Sequence, residues 1–427
     1  MKNFAPFLWL ALVLAACTSA QNPVLTSVEL PASVQMTFNA LLPPSSPSGE
    51  TVYFTLLDEV TGLEFNRQAL DLTSSGEHSA SIILSVPTGT LVKYRYTRQA
   101  TTGFVNEASA DGSRISYRAY LVDGPGHVAY DMVAAWADQP DELATGQVSG
   151  TVTDAESGQP ISNQIVVAAG LHARTNGEGR FLVTGLPQGL HNILVYSPSG
   201  NHLPFQQGAL VAAGSETPAN IQLNPTESAL VTFWVTPPQE HTSSTPVFMI
   251  GDINALAARP LLSLQADGRY TVTMQLPTGV DIRYKYSLGD GLWNAEHVSD
   301  GDFHVRQLLI PAGTQEIEIE DQIAAWEAGS SAPIWFELNA PADNLLAYIQ
   351  FNLGEWSTPL PMWPLGEGHW AYKLYSPTNF ADPLEYRYCI DAACGLLEAS
   401  PGTMRTVSGN SASLQQMKDL IGAWHRE

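Results

Sequence analysis

Alternating hydrophobic and polar residues along the chain predict short β-strands rather than helices. The segments 34–38, 231–235 and 270–276 each place an apolar side chain at every second position, which is the period of a half-buried strand. Segment 334–338 follows the same alternation less strictly. Glycine and proline, 34 and 29 of the 427 residues, interrupt these segments at short intervals and indicate turns. The pattern predicts an all-β protein built from β-sandwiches.

One sequence motif occurs twice at full length and once in shortened form, which predicts three copies of one module. It reads Pro-Thr-Gly followed by a Tyr-x-Tyr strand at 87–96 and 277–286, and the short form lies at 383–388. A tryptophan follows the second tyrosine by 40 residues in the first two copies and by 36 in the third. We predict buried positions for these tryptophans and for the first tyrosine of each copy: Trp136, Trp326, Trp424, Tyr94, Tyr284 and Tyr386.

The basic residue between the two tyrosines points away from the core in each copy, because side chains alternate between the two faces of a strand. These residues are Arg95, Lys285 and Arg387. We place module 1 at 31–138, module 2 at 228–328 and module 3 at 332–427. A different segment, 145–224, separates the first two modules, so that four tandem immunoglobulin-like β-sandwiches follow one another.

The separating segment has its own motifs. It contains Gly-x-Val-x-Asp at 150–154, Gly-x-Pro-Ile at 158–161 and a glycine-rich turn leading to Phe181. These motifs resemble those of the carboxypeptidase regulatory-like domain, a small transthyretin-like β-sandwich. The resemblance implies a spacer or stabiliser that carries no catalytic residues.

The N-terminus predicts a lipid-anchored protein outside the cytoplasm. Residues 4–13 form an apolar run that is too short to cross a bilayer and has the length of a signal-peptide core. Leu14-Ala15-Ala16-Cys17 resembles the lipobox of bacterial lipoproteins. The resemblance implies a signal peptide at 1–16, a linker at 17–30 and a lipidated Cys17 that anchors the chain to a membrane of the cell envelope. An ordinary signal peptide with an incidental cysteine is the alternative.

The other two cysteines lie five residues apart. An oxidising exterior favours a disulfide between Cys389 and Cys394 across a loop between two strands. Two independent reduced thiols are the alternative.

Charge and motif content restrict the function. The formal net charge of −23 repels phosphate backbones and argues against a nucleic-acid partner. The sequence contains no His-Glu-x-x-His, no Gly-x-Ser-x-Gly and no phosphate-binding glycine-rich loop. We therefore predict no catalytic residue, no cofactor and no metal; a calcium site near Asp300 and Asp302 is the alternative.

Module 2 carries the fullest set of binding motifs. Gly251-Asp252, a Leu-Pro-x-Gly turn at 276–279, the Tyr-Lys-Tyr strand and Trp293 resemble the starch-binding domain of carbohydrate-binding module family 20 or its close relatives. That family binds α-glucans by stacking sugar rings on surface tryptophan and tyrosine, with a lysine or asparagine nearby. Module 3 adds Leu-Gly-x-Trp at 353–356. The implied sugar contacts are Lys285, Trp293, Asn294 (in place of the family's glutamate), Trp356, Trp363 and Trp370.

The sequence supports three functions. The first is non-catalytic binding of an α-glucan polysaccharide or oligosaccharide by a surface-anchored lipoprotein. The second is the accessory part of an extracellular glycoside hydrolase whose catalytic domain is absent or encoded separately. The third is a structural cell-envelope or adhesion protein that has lost sugar binding. Each module lacks tryptophans that the binding motifs would have, and their absence favours this third function.

Overall fold

The computed structural model describes residues 30–425 of the chain with internal gaps. The gaps are 58–59, 61–63, 73–77, 102, 127, 140–142, 240, 242, 244, 258, 289–294, 299–303, 327–333, 342–346, 353–355, 357–358, 367, 375–382, 391–393, 395, 399–404, 410 and 412. Across the described residues the regular structure is β-strand apart from one short helix, which confirms the all-β prediction.

Module 1 consists of two sheets that enclose a core of aromatic side chains. Its strands are β1 (Ser33–Leu41), β2 (Val52–Leu57), β3 (Glu64–Ala69), β4 (Asp71–Leu72), β5 (Ser79–Pro87), β6 (Leu91–Ala100), β7 (Gly103–Ala108), β8 (Arg118–Leu121), β9 (Val128–Met132) and β10 (Ala135–Trp136). One sheet has the order β4-β5-β1-β9, and the other has β10-β7-β6-β2-β3 with β8 beside β6. Phe38, Phe54 and Tyr94 meet between the sheets, with ring centroids 4.6–5.0 Å apart.

The separating segment forms a smaller two-sheet sandwich, called here the inner domain. Its strands are β11 (Thr145–Asp154), β12 (Ile165–Ala168), β13 (Leu171–Arg174), β14 (Arg180–Pro187), β15 (Gly189–Tyr196), β16 (Phe205–Val211), β17 (Glu216–Pro218) and β18 (Ile221–Leu223). The sheet orders are β14-β11-β17, with β18 beside β11, and β13-β12-β15-β16. Gly150 is required in β11, because a Cβ atom there would lie 1.8 Å from the carbonyl oxygen of Ala219.

Module 2 repeats the arrangement of module 1. Its elements are β19 (Ser228–Thr236), β20 (Val247–Gly251), α1 (Asn254–Ala257), β21 (Ser263–Leu264), β22 (Tyr270–Pro277), β23 (Asp281–Leu288), β24 (Glu296–His297), β25 (Arg306–Leu309), β26 (Glu316–Gln322) and β27 (Ala325–Trp326). The sheets have the orders β21-β22-β19-β26, β20-β23-β25 and β24-β27.

Module 3 has the same plan. Its strands are β28 (Ile334–Asn339), β29 (Ala347–Asn352), β30 (Leu360–Pro361), β31 (Trp363–Gly366), β32 (His369–Leu374), β33 (Leu384–Ile390), β34 (Leu396–Glu398), β35 (Arg405–Val407), β36 (Gln415–Leu420) and β37 (Trp424–His425). The sheet orders are β31-β32-β28-β36 and β30-β29-β33-β34-β37, with β35 beside β33. The first strand of every module pairs in parallel with a late strand (β1 with β9, β19 with β26, β28 with β36), so the three repeats share one topology.

The repeated aromatic residues lie largely where the repeat predicts. Trp136 and Trp326 are buried, and so are the first tyrosines of the three copies. Trp424 packs against the core of module 3 but is only partly buried. Each indole N–H donates to a loop near the start of its own module, to Ser46 Oγ, His241 Nδ1 and Pro341 O respectively. The tryptophan therefore closes the end of each sandwich.

The domains pack against one another. Leu91 and Ala119 of module 1 form a hydrophobic cluster with Val167, Leu194 and Tyr196 of the inner domain. The backbone N–H of Leu91 also donates to Asp281 Oδ2 in module 2 over 2.9 Å. Ile250 of module 2 packs into the core cluster of module 3. These contacts join faces of the sandwiches that strand alternation alone assigns to solvent.

Candidate functional site

A buried polar network links the two sheets of module 1. The hydroxyl groups of Tyr94 and Tyr96 both donate hydrogen bonds to Asp131 Oδ2, over 2.7 and 2.8 Å. The Arg118 guanidinium pairs with Asp131 and, at 2.7 Å, with Glu107. Glu107 also accepts the backbone N–H of Tyr96. Burial and the nearby Asp131 carboxylate raise the pKa of both tyrosines well above its usual range, so both hydroxyls remain protonated donors.

The same network recurs in the other two modules. Module 2 uses Tyr284, Tyr286, Asp321, Arg306 and Glu296, and module 3 uses Tyr386, Tyr388, Asp419, Arg405 and Glu398. Every charged member has a partner, so the network joins the sheets and offers no open position to a ligand. We call it the Tyr-Tyr-Asp-Arg-Glu network.

The acidic and basic members of this network were not predicted from the sequence, although a signal is present. The aspartate precedes the closing tryptophan by five residues in all three copies, and the glutamate follows the second tyrosine by ten or eleven. In module 2 the glutamate is Glu296, two residues after Asn294, which the resemblance assigned to the acidic position. Asp321 faces the core, although the glutamate-rich sequence of β26 (Glu316–Gln322) predicts an exposed strand face.

The structure contradicts the assignment of Lys285 as a sugar contact. Its side chain points away from the tyrosines, as alternation predicts, yet it is only 1% exposed. Its cross-strand partner in β20 is Ile250, which belongs to the core cluster of module 3. The face of module 2 that was expected to meet solvent is therefore covered, and no sugar ring has access to Lys285.

The corresponding face of module 1 is covered at a junction of three domains. Lys93 Nζ lies 3.6 Å from Asp252 Oδ2 of module 2. The same ammonium group lies 5.7 Å from the ring centre of Tyr117 and 5.6 Å from that of Tyr196 in the inner domain. The two tyrosine hydroxyls share a hydrogen bond of 2.6 Å. Burial raises the pKa of Asp252 above its usual range, and the nearby Lys93 ammonium opposes that shift.

Of the remaining predicted positions, Trp370 is buried, and several other side chains lie outside the described residues. The assignment of Trp370 is wrong, because its side chain is 4% exposed and packs in the core of module 3. The side chain of Trp363 lies outside the described part of the chain, although its backbone pairs with that of Ala371 in β32. Cys17, Trp293, Asn294, Asp300 and Asp302 lie outside the described residues.

Among the predicted sugar contacts whose side chains the structure describes, Trp356 is the one that is partly exposed. It forms a backbone bridge with Asn352 at the end of β29. The guanidinium carbon of Arg387 lies 4.3 Å from the centre of the Trp356 ring, which is the geometry of a cation–π contact. Arg387 is fixed in turn by its Nε–H, which donates to Gln350 Oε1 over 2.8 Å.

A second pair of polar side chains extends this surface. Asn352 Nδ2 donates to Glu385 Oε2 over 2.7 Å, and the two residues are Cα partners across β29 and β33. Gln350 and Arg387 are the next pair along the same face. An indole, an amide, a guanidinium and a carboxylate therefore share one outer face of module 3, which we call the Trp356 face. Such a set can pack an apolar ring surface and exchange hydrogen bonds with hydroxyl groups.

Cys389 and Cys394 are joined by a disulfide, with Cα atoms 5.0 Å apart. Cys389 is the second-last residue of β33, the strand that carries Arg387 and Glu385. The disulfide closes the connection from β33 to β34 beside the Trp356 face.

The described part of the chain holds neither a metal-binding cluster nor a membrane-spanning helix. Within that part of the chain, no group of three or more His, Cys, Asp or Glu side chains is placed to hold a metal ion. None of its helices is long and apolar enough to span a bilayer.

Comparison with known proteins gives partial matches. An alpha-amylase from Niallia circulans is 33% identical over 118 residues, which are 27% of this chain. The chain thus spans only 9% of the length of that relative.

Solved structures match at low similarity. The glycoside hydrolase family 15 glucoamylase from Hypocrea jecorina matches 25% of this chain and 20% of its own, with 20% identity and a TM-score of 0.20. The TIE protein of Bacillus anthracis matches 92% of this chain and 69% of its own, with 11% identity and a TM-score of 0.19. A streptococcal ancillary pilin matches 67% of this chain and 98% of its own, with 11% identity and a TM-score of 0.21. Scores this low carry no functional argument.

The inner domain has a family match of its own. The family model of the carboxypeptidase regulatory-like domain matches residues 147–224. This match confirms the resemblance predicted from the glycine-rich motifs, and residues 147–224 form a carboxypeptidase regulatory-like domain.

Proposed function

We propose that the protein is a non-catalytic carbohydrate-binding protein that takes an α-glucan on the Trp356 face of module 3. The observation that carries the proposal is the partly exposed indole of Trp356 beside Arg387 and Gln350, followed by the Asn352–Glu385 pair. The similarity to a protein named alpha-amylase favours a glucan over other sugars.

The energetics fit a weak, repetitive ligand. Covering about 100 Å² of the apolar face of a glucose ring with an indole contributes roughly 2.5 kcal/mol at about 25 cal/mol per Å². Association and ordering costs consume much of this gain. Arg387 already covers one side of the indole, so a sugar stacks on the other side, with hydroxyl groups directed to Asn352 and Glu385.

Affinity electrophoresis tests this proposal. We expect soluble amylose or glycogen in a native gel to retard the chain, and Trp356→Ala to abolish most of the retardation. Tyr130→Ala is a matched control, because Tyr130 is a 66% exposed aromatic residue on a different module. Unretarded migration of the parent chain in amylose, glycogen and pullulan would refute glucan binding. Retardation that Trp356→Ala leaves unchanged would refute the placement on this face.

Anchoring at Cys17 is part of the same proposal. A lipidated cysteine would hold the four domains outside the cytoplasm at a membrane surface. We expect the full chain to enter the detergent phase of a Triton X-114 partition and Cys17→Ser to remain in the aqueous phase. Equal partitioning of the two proteins would refute lipidation.

A structural role in the cell envelope is the second candidate. The buried faces of modules 1 and 2 favour it, because Lys93 pairs with Asp252 of another module and Lys285 is only 1% exposed. This role predicts no retardation in any glucan gel, so the same experiment separates the two candidates. The accessory part of a glycoside hydrolase predicts retardation together with a separate catalytic chain.

A further inference from the structure

A second tryptophan lies on the opposite outer face of module 3. Trp335 occupies β28, an inner strand of the four-stranded sheet β31-β32-β28-β36. Its neighbours Ile334 and Phe336 are fully buried, whereas Trp335 alternates to the outside and is partly exposed. Its Cα partners are Lys373 in β32 and Gln416 in β36. The indole therefore lies within an open sheet face, on the other side of the core from Trp356.

Polar groups hold the edge of this indole. Trp335 Nε1–H donates to Glu337 Oε1 over 3.0 Å. The same oxygen accepts the side-chain amide of Gln416 over 2.7 Å, and Lys418 Nζ lies 3.7 Å from Glu337 Oε2. The Gln416 hydrogen bond lowers the pKa of Glu337 below its usual range, so the carboxylate remains an acceptor at neutral pH. The indole is thus fixed at its edge by a hydrogen bond to a carboxylate that is itself held by Gln416.

Module 2 supplies a contrasting case on the equivalent sheet face. Trp234 also points outward from the first strand of its module. The guanidinium carbon of Arg269 lies 4.6 Å from the centre of its ring, and Arg269 is held by Asp267 at 2.7 Å and Glu320 at 3.5 Å. The Trp234 ring is therefore occupied by a residue of its own module. Trp335 differs from Trp234 in that its N–H, at the ring edge, donates to Glu337 of its own strand.

We propose that the sheet face centred on Trp335, Glu337 and Gln416 is a second carbohydrate-binding surface, which stacks one sugar ring of an uncharged polysaccharide on the Trp335 indole. The inference rests on the proposed function and extends it, because one β-sandwich would then bind the polysaccharide on both outer faces. Glu337 and Gln416 lie where the hydroxyl groups at the edge of a stacked sugar ring would be.

The surroundings favour a sugar over a protein partner. Lys373, Glu337 and Lys418 border the indole, and lysine and glutamate are depleted from the centres of protein–protein interfaces. The net charge of −23 and the Glu337 carboxylate oppose a polyanion. A neutral ligand that presents an apolar ring face edged by hydroxyl groups matches both the flat indole and the polar residues beside it.

Titration calorimetry on the full chain tests the second surface. The probe is linear maltoheptaose, or soluble amylose where binding is weak. We expect the parent chain to show two sites per chain, and Trp335→Ala and Trp356→Ala each to leave one site. Trp335→Tyr keeps an aromatic plane and should weaken that site by less than about tenfold, the equivalent of 1.4 kcal/mol, whereas Trp335→Leu should remove it. Trp234→Ala is the matched control and should leave both sites intact.

Each outcome has a defined meaning. Two sites that fall to one with Trp335→Ala and remain two with Trp234→Ala support the inference. Glucan binding that Trp356→Ala abolishes and Trp335→Ala leaves unchanged overturns this inference alone. The absence of any binding by the parent chain overturns the proposed function as well. A change in sedimentation coefficient with Trp335→Ala, without a change in glucan binding, would identify the face as a protein contact and also overturn the inference. Unchanged far-ultraviolet circular dichroism shows that each variant is folded.

Discussion

Replacing Asp321 with Asn tests the Tyr-Tyr-Asp-Arg-Glu network of module 2. The substitution preserves the size and shape of the side chain and removes its negative charge. In the parent, Oδ1 accepts a hydrogen bond from Arg306 over 2.8 Å, and Oδ2 accepts hydrogen bonds from Tyr284 and Tyr286 over 2.9 and 2.6 Å. An asparagine amide has one acceptor oxygen, so either the guanidinium or the two hydroxyls must face a donor.

The expected loss follows from what remains paired. Hydrogen bonds to charged groups contribute roughly 1.5–3 kcal/mol each, and breaking a buried ion pair costs roughly 3–5 kcal/mol. Arg306 retains its contact with Glu296 at 2.7 Å, which limits the damage. We therefore expect module 2 to lose about 3 kcal/mol. For a domain of this size, about 1 kcal/mol shifts the melting temperature by roughly 4–8 °C, so Asp321→Asn should lower it by roughly 12–24 °C.

Differential scanning calorimetry of the full chain measures this shift, and hydrogen exchange of amides in 228–326 assigns it to module 2. Glu316→Gln is the matched control, because it removes the same charge from an exposed position of the same strand. If Asp321→Asn and Glu316→Gln shift the melting temperature equally, the network does not stabilise the fold and the reasoning is wrong.

Three further changes test the contacts between domains. Lys93→Met removes the ammonium group that lies 3.6 Å from the largely buried carboxylate of Asp252 and should cost roughly 3 kcal/mol by calorimetry, and adding Asp252→Asn should restore part of the loss. Gly170→Val should speed limited proteolysis between module 1 and the inner domain, because the φ of +81° opposes a side chain and its Cβ would lie 2.5 Å from Ile115. Burial lowers the pKa of His172, so the unfolded chain takes up a proton first as the pH falls below about 6.5, and the melting temperature should fall less steeply from pH 7 to 5 in His172→Gln.

Each of these expectations has an opposing result. Equal melting temperatures for the single and double variants at position 93 would show that the ion pair is not coupled. Unchanged cleavage rates would show that the Gly170 contact does not hold the domains together. Equal slopes of melting temperature against pH for the parent and His172→Gln would show that His172 does not contribute to the pH dependence of stability.

Local patterns predicted most of the strands and the repeat. Alternation placed Phe38 and Phe233 inward, and the Tyr-x-Tyr motif correctly located the paired tyrosines and the buried Trp136. The same reasoning was available for Trp370, which alternates with Tyr372 and Leu374 on one face of β32, and it indicates a core position that the resemblance obscured.

Contacts made by distant residues escaped prediction. Glu107 and Asp131 meet Arg118 only because three strands from two sheets converge, and no single segment records that convergence. The burial of Lys285 depends on packing between domains, for which a single strand carries no signal. Residue type and alternation predicted its orientation correctly and its environment wrongly.

The burial of the Lys93 and Lys285 faces has a consequence for valency. A chain that repeats one sandwich three times would ordinarily offer three equivalent points of attachment along a polymer. Here that side is buried at Lys93 in module 1 and at Lys285 in module 2, and it is partly exposed at Trp356 in module 3. Under the proposed function, a chain of three modules would thus present this binding face once, and the valency at this face would rise only with the number of chains held together.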